Sequence, residues 1–150
     1  MLSLRGPMTP LRPSIGLHRR AHAKFTNDVA LSAIILKMKI VKDKIGLEEL
    51  KEMAANSFGD IVKAVVDVER EIMAVDGELH SDEEAMVLES GSKQENLWGI
   101  NFYPELSGED FIEFDSMINL RPSAGNRSRS VDNPKIREQI KAIIDKLVRK

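Results

Sequence analysis

Residues 62–75 read VKAVVDVEREIMAV, and their side-chain pattern predicts two neighbouring β-strands. Alternate side chains of the first segment, residues 62–68, share an apolar face, and β-branched residues dominate it. The second segment, residues 71–75, follows after only Glu69 and Arg70. This gap has the length of a tight hairpin, although neither residue favours the positive φ that such a turn requires. We therefore expect an antiparallel pair of strands.

Two later segments, residues 97–103 and 111–118, also alternate like strands. Pro104 and Gly108 provide the turn between them. Residues 84–89 are compatible with either a strand or a short helix. The chain thus predicts four or five strands, which are mostly antiparallel.

Two amphipathic helices are predicted, one before these strands in the sequence and one after them. Residues 47–54 repeat apolar side chains at three- and four-residue spacing, and Gly59 is well placed to end that helix. Near the C-terminus, Asn133 is a helix cap and Pro134 occupies the first helical position. The apolar stripe of this second helix consists of Ile136, Ile140, Ile143, Ile144 and Leu147.

The predicted fold class is α+β. An N-terminal helix and a C-terminal helix that cover one face of a four- or five-stranded, mostly antiparallel sheet make a two-layer sandwich. The other face of the sheet would then be open to water or to a partner.

The composition excludes several classes of protein. The chain has 150 residues, a formal net charge of −2 and no cysteine, which fits one globular domain and excludes a disulfide scaffold or a cysteine-ligated metal. No segment reaches the ~18 consecutive apolar residues of a membrane helix. We therefore expect a soluble cytoplasmic protein without a membrane partner.

Charge is distributed unevenly along the chain. Residues 1–37 have a net charge of +5, whereas residues 38–150 have a net charge of −7. We expect residues 1–37 to be a basic, disordered extension and residues 38–150 to be a single α+β domain. Three interpretations of the extension compete: a transit peptide, a basic arm that contacts nucleic acid, or sequence upstream of a true start at Met38.

Several motifs after Met38 carry a resemblance to a known family. They include Leu47-Glu-Glu-Leu-Lys51, Gly77-Glu-Leu-His80, Leu97-Trp-Gly-Ile-Asn101 and Gly125-Asn-Arg-Ser-Arg129. With these motifs, the chain resembles domain-of-unknown-function family 5674, a family of short prokaryotic proteins. The resemblance covers residues 38–150 and none of residues 1–37, which favours a start at Met38. It implies a fold unit and no assigned catalytic residue.

The first candidate site is the segment 119–129, in which three arginines occur among Gly, Ser and Asn residues. Guanidinium groups match phosphate and carboxylate oxygens, and a flexible loop can turn its N–H groups towards an anion. The alternative is that the arginines form surface salt bridges with the acids of this domain. The candidate anion-binding residues are Asn119, Arg121, Asn126, Arg127, Ser128 and Arg129.

The second candidate is the acidic turn 78–84. In an extended chain His80, Asp82 and Glu84 would share a face, and they could bind a divalent ion. The alternative is a solvated acidic turn. His80 is the only histidine after residue 37, so any histidine-dependent acid–base step depends on it. The catalytic candidates are His80, Asp82 and Asp115.

The third candidate is the polar face of the two late strands. Asn101 and Tyr103 alternate on one strand, and Glu113 and Asp115 on the other. If the strands pair, these side chains form a cluster that leads to Arg121. An ordinary solvent-facing sheet surface would have the same pattern.

These candidates lead to three hypotheses and leave open whether the protein is an enzyme. The first is a small binding module whose arginine-rich loop recognises a nucleotide or RNA phosphate. The second is a small hydrolase or nuclease-like enzyme that uses His80 and nearby carboxylates. The third is a structural protein that forms a homodimer through the open sheet face. No cofactor is predicted, apart from the option of a divalent metal at the acidic turn.

Overall fold

The computed structural model describes residues 37–150, so the basic extension lies outside the described residues apart from Lys37. Three helices and seven strands form the described fold. The helices are α1 (Leu47–Asn56), α2 (His80–Glu89) and α3 (Pro134–Leu147). The strands are β1 (Lys39–Val41), β2 (Ile45–Gly46), β3 (Val62–Asp67), β4 (Ile72–Val75), β5 (Leu97–Phe102), β6 (Ile112–Glu113) and β7 (Val148–Arg149).

Five strands form one antiparallel sheet in the order β1-β4-β3-β5-β6, and β2 and β7 form a separate parallel pair. The predicted hairpin is β3–β4, in which Val66 lies opposite Met73. Its turn forms despite the unfavourable residues because Glu71 adopts a φ of 56°. The Asp67 carboxylate supports the turn by accepting the N–H groups of Glu69 and Arg70 at 2.9 and 3.0 Å.

The main core lies between the sheet and the two predicted helices, α1 and α3. Leu50 of α1 and Ile140 of α3 are fully buried, together with Ala64 and Ile100 from the sheet. The predicted cap of α3 is confirmed, because the Asn133 side chain accepts the N–H of Lys135 at 2.9 Å. The α+β class, the mostly antiparallel sheet and the two flanking helices are therefore as predicted.

The prediction of an open second sheet face is wrong. Residues 84–89 belong to α2, which packs against that face, and Val87 of the helix joins Val65, Ala74 and Leu97 in a second apolar cluster. The structural hypothesis loses its proposed surface, because α2 occupies it.

The prediction of a strand over residues 111–118 is correct only for β6. Beyond β6, two side chains and not a neighbouring strand form the hydrogen bonds at the edge of β5. Asn119 pairs with Gly99 at both its N–H (2.8 Å) and its C=O (3.0 Å), and Arg121 donates to the carbonyl of Leu97. This packing is so close that a Cβ at Gly99 would lie 2.5 Å from the side chain of Ser116.

Within residues 37–150, no helix has the length and apolar character needed to cross a membrane.

Candidate functional site

A groove with a volume of about 650 Å³ lies between the start of β5, the 3₁₀ turn Pro122–Ala124 and the N-terminal end of α3. We call it the Trp98 groove. Its lining combines an aromatic ring, a guanidinium, three amide side chains and one carboxylate. The lining residues are Gln94, Glu95, Trp98, Arg121, Ala124, Gly125, Asn126, Asn133 and Ile136.

Arg121 is the cation of this groove, and its position is fixed. Its Cζ lies 4.6 Å from the centroid of the Trp98 ring, its Nε donates to the Ile118 carbonyl at 3.0 Å, and its Nη2 donates to Leu97. Its Nη1 has no partner within residues 37–150. Burial lowers the pKa of Arg121, with a smaller opposing effect from Glu84, yet a guanidinium remains charged at neutral pH. One edge of a held cation is thus free to bind a ligand.

The N-terminal end of α3 borders the same groove. Asn133, the capping residue, lines the groove directly, and Pro134 occupies the first helical position. The N–H groups of the first turn of α3 are already paired, because the Asn133 side chain accepts that of Lys135 and the Asn133 carbonyl accepts those of the two residues that follow Lys135. The helix therefore presents only the positive end of its dipole to the groove. This helix end and Arg121 therefore make the groove favourable for an anion.

The two asparagines of the predicted anion-binding segment have structural contacts instead. Asn119 is fully buried against Gly99, and its Nδ2 also donates to the Arg129 carbonyl at 2.9 Å. The Nδ2 of Asn126 lies within 2.7–3.0 Å of the carbonyl oxygens of Asn119, Ser128 and Ser130. These amides close the loop, so we omit them from the proposed ligand contacts.

The other predicted residues of this segment lie outside the Trp98 groove. Arg129 forms an ion pair with Asp115 at 2.7 Å, the outcome that the salt-bridge interpretation expected. The Ser128 hydroxyl donates to Asp132 at 2.5 Å. Arg127 is exposed, and its side chain makes no hydrogen bond or ion pair within residues 37–150. Of the three arginines, Arg121 lines the Trp98 groove and the other two do not.

The third predicted candidate does form a cluster, which we call the polar cluster: Asn101, Tyr103, Glu113 and the adjoining Asp115. Asn101 Nδ2 donates to Glu113 Oε1 at 2.9 Å and to the Asp115 carbonyl at 3.2 Å. Tyr103 donates to the same Glu113 oxygen at 3.3 Å. Asn101 is 4 % exposed, and its Oδ1 has no partner within the described residues.

His80 reaches β5 next to this cluster. Its Nε2 lies 2.8 Å from the Ile100 carbonyl, and because a carbonyl only accepts, Nε2 carries the proton. Burial lowers the pKa of His80, and the charge of Lys63 lowers it further, whereas the Ile100 carbonyl and Asp115 raise it. We therefore expect His80 to be neutral at pH 7. Its Nε2 is engaged with the backbone, which leaves Nδ1 as the acceptor nitrogen of the ring, and Asp115 Oδ1 is engaged with Arg129.

The extended alignment predicted for His80, Asp82 and Glu84 is wrong, because all three lie in the first turns of α2. At about 100° per residue, Asp82 points away from the other two. Within residues 37–150, no three histidine or acidic side chains converge in a way that could hold a metal ion.

Of the residues that line the Trp98 groove, the sequence pattern predicts only Arg121 and Asn126 as binding residues. Trp98 shares its strand face with Ile100 and Phe102, a pattern that predicts a core position, and it is only 6 % exposed, yet it also lines the groove. Asn133 was recognised only as a helix cap. Gln94 and Ile136 join these residues through contacts between distant segments, which local periodicity does not encode.

The described residues form a small α+β domain with a cleft in which Arg121 is held over Trp98. A family model matches residues 39–147, and the chain belongs to that family, which is described as "Protein of unknown function (DUF5674)". No curated protein and no solved structure matches the chain.

Proposed function

We propose that this domain is a binding module for a small phosphate-bearing ligand of the nucleotide class, and that the ligand occupies the Trp98 groove. The observation that carries the proposal is the fixed Arg121 guanidinium, which is held over the Trp98 ring with Nη1 left free. A guanidinium edge is suited to phosphate oxygens.

The size and chemistry of the groove support a ligand of this class. Its volume of about 650 Å³ lies within the ~300–1,000 Å³ of typical small-molecule sites. The amides of Gln94 and Asn133 provide donors and acceptors beside an aromatic ring, a combination that can contact a planar heterocycle.

The charge of the domain favours a small ligand over a long nucleic acid. Residues 38–150 have a net charge of −7, whereas nucleic-acid binding depends on basic groups that neutralise many phosphates. Among the described residues, Arg121 and the dipole at the start of α3 provide positive charge to the groove beside the carboxylate of Glu95, and this suits one phosphate group.

Calorimetric titration with inorganic phosphate, AMP, ATP and a short single-stranded RNA tests the proposal. We expect a nucleotide to bind, and Arg121→Gln to weaken binding at least ~10-fold, because charge-assisted hydrogen bonds contribute about 1.5–3 kcal/mol. The matched control is Arg127→Gln, which removes the same charge from an exposed side chain outside the groove. We expect its affinity to stay within about twofold of the wild type.

Thermal melts of both variants separate loss of binding from loss of fold, because Arg121 also holds two backbone carbonyls. A folded Arg121→Gln variant with wild-type affinity would contradict the proposal. Failure of all four compounds to bind at millimolar concentration would also contradict it.

A further inference from the structure

A second groove, with a volume of about 490 Å³, lies on another side of α3 and shares no lining residue with the Trp98 groove. We call it the Phe114 groove. The segment from Gly108 to Phe114, which includes edge strand β6, forms one wall, and α3 forms the other. Arg137, Lys141 and Asp145 follow one another at four-residue spacing, so they line about 12 Å of the helix.

The floor of this groove is apolar and continuous with the main core. Phe111 is 3 % exposed and packs on Phe102 with the ring centroids 5.4 Å apart. Ile112 and Phe114 are half-buried and also pack against that core. Apolar side chains of a partner could therefore pack against residues that the main core holds in place.

Strand β6 leaves backbone groups unpaired beside this floor. The N–H of Tyr103 donates to the Phe111 carbonyl, so residues 103 and 111 form a hydrogen-bonded pair. Such pairs alternate along an antiparallel ladder, which makes Ile112 and Phe102 a non-hydrogen-bonded pair. The N–H and C=O of Ile112 therefore point away from β5, and they have no partner within residues 37–150.

Charges are separated along the α3 wall. Arg137 and Lys141 occupy the end nearer the start of the helix, and the Nη1 of Arg137 is held by the Val131 carbonyl at 2.5 Å. Lys141 has only an exposed partner, Glu138, at 3.4 Å. The acid Asp145 lies towards the opposite end of the helix, and Lys150, which also lines the groove, covers the Phe111 ring at 4.5 Å.

We propose that the Phe114 groove binds an extended peptide segment of a partner protein by strand addition to β6. A free strand edge beside a helix is a recognised binding mode for extended peptides, in which backbone hydrogen bonds combine with pockets for alternate side chains. The apolar floor selects aliphatic side chains, Arg137 and Lys141 select an acidic residue, and Asp145 selects a basic residue at the other end.

Fluorescence polarisation with a labelled synthetic peptide, Glu-Val-Glu-Val-Val-Val-Lys, tests the surface. Two further peptides of the same sequence, each N-methylated at alternate residues in one of the two registers, test strand addition, because methylation removes N–H donors and keeps the side chains. We expect the parent peptide to bind and methylation in one register to abolish binding. Equal binding of all three peptides would overturn the proposal.

Two charge reversals on α3 complete the test. Lys141→Glu reverses a charge in the groove, and Lys135→Glu is the matched control, because Lys135 is exposed on the same helix and lines neither groove. We expect Lys141→Glu to weaken binding at least ~10-fold and Lys135→Glu to change it less than about threefold. Equal effects of the two variants, or no binding of the parent peptide at millimolar protein, would overturn the proposal.

Discussion

The two faces of the central sheet are stabilised by different kinds of contact. The buried part of the face under α1 and α3 is apolar, with fully buried residues such as Ala64, Ile100 and Phe102. The face under α2 and the following loops has a smaller apolar cluster and is interrupted by buried polar side chains. These are Asp67, Glu83, Asn101, Ser116 and Asn119.

The polar side chains of the second face form hydrogen bonds to backbone groups of turns and strand edges. Asp67 closes the β3–β4 turn, Asn119 completes the edge of β5, and Glu83 accepts the N–H of Gly77 at 2.8 Å. Gly77 has no space for a side chain, because a Cβ would lie 2.6 Å from the Cγ of Glu83. The first face is therefore stabilised mainly by apolar area, whereas the second depends on the geometry of a few hydrogen bonds.

The largest expected effect is on the apolar face. Phe102→Ala removes a fully buried ring that contacts Phe111, and we expect a loss of about 3–5 kcal/mol in the free energy of unfolding. Urea denaturation of residues 38–150 measures this loss. Phe102→Leu, which retains most of the apolar volume, should lose clearly less, and an equal loss in the two variants would contradict a packing origin.

On the polar face, we expect Asn119→Ala to cost about 3 kcal/mol, although it removes little apolar area. The variant leaves the N–H and C=O of Gly99 and the carbonyl of Arg129 without their partner. Urea denaturation is again the measurement. Ser123→Ala, at an exposed position of the same loop, is the control. A cost below about 1 kcal/mol for Asn119→Ala would contradict a second face whose stability depends on buried hydrogen bonds.

This contrast also explains what the sequence could predict. Hairpin 62–75 and helix α3 were predictable because their periodicity and the Asn133 cap are local signals. The role of Asn119 depends on Gly99, twenty positions away, so the segment 111–118 was assigned to a longer strand. For residues 84–89 the pattern leaves a strand and a short helix open, and the helix α2 that forms there begins earlier, at His80. Its buried side includes Glu83, a residue type that usually marks a solvent-facing position.

A smaller effect is expected from the titration of Glu83. Burial raises the pKa of Glu83 well above its ordinary value of 4.5, although the N–H of Gly77 lowers it. The folded protein then binds a proton that the unfolded chain releases, so stability falls as pH rises from 4.5 towards the folded pKa. The slope in that window is about 1.4 kcal/mol per pH unit.

Glu83→Gln should remove this slope, and the difference in unfolding free energy between variant and wild type, followed from pH 4 to 8, measures it. Taking the difference cancels the effect of His80, whose lowered pKa makes stability fall as pH drops below 6.5. Glu89→Gln, at an exposed position of α2, is the control. A difference that does not change with pH would contradict a buried neutral carboxyl.

The smallest effect is expected at the exposed rim of the polar face, from Arg129→Gln. The ion pair of Arg129 with Asp115 is short, at 2.7 Å, but the two side chains are 55 % and 42 % exposed. Water and salt screen such a pair, so we expect a cost below about 1 kcal/mol that disappears at high salt. Urea denaturation at low and high ionic strength is the measurement. A cost comparable to that of Asn119→Ala would show that this face is held by its surface charges and not by the buried amides beneath them.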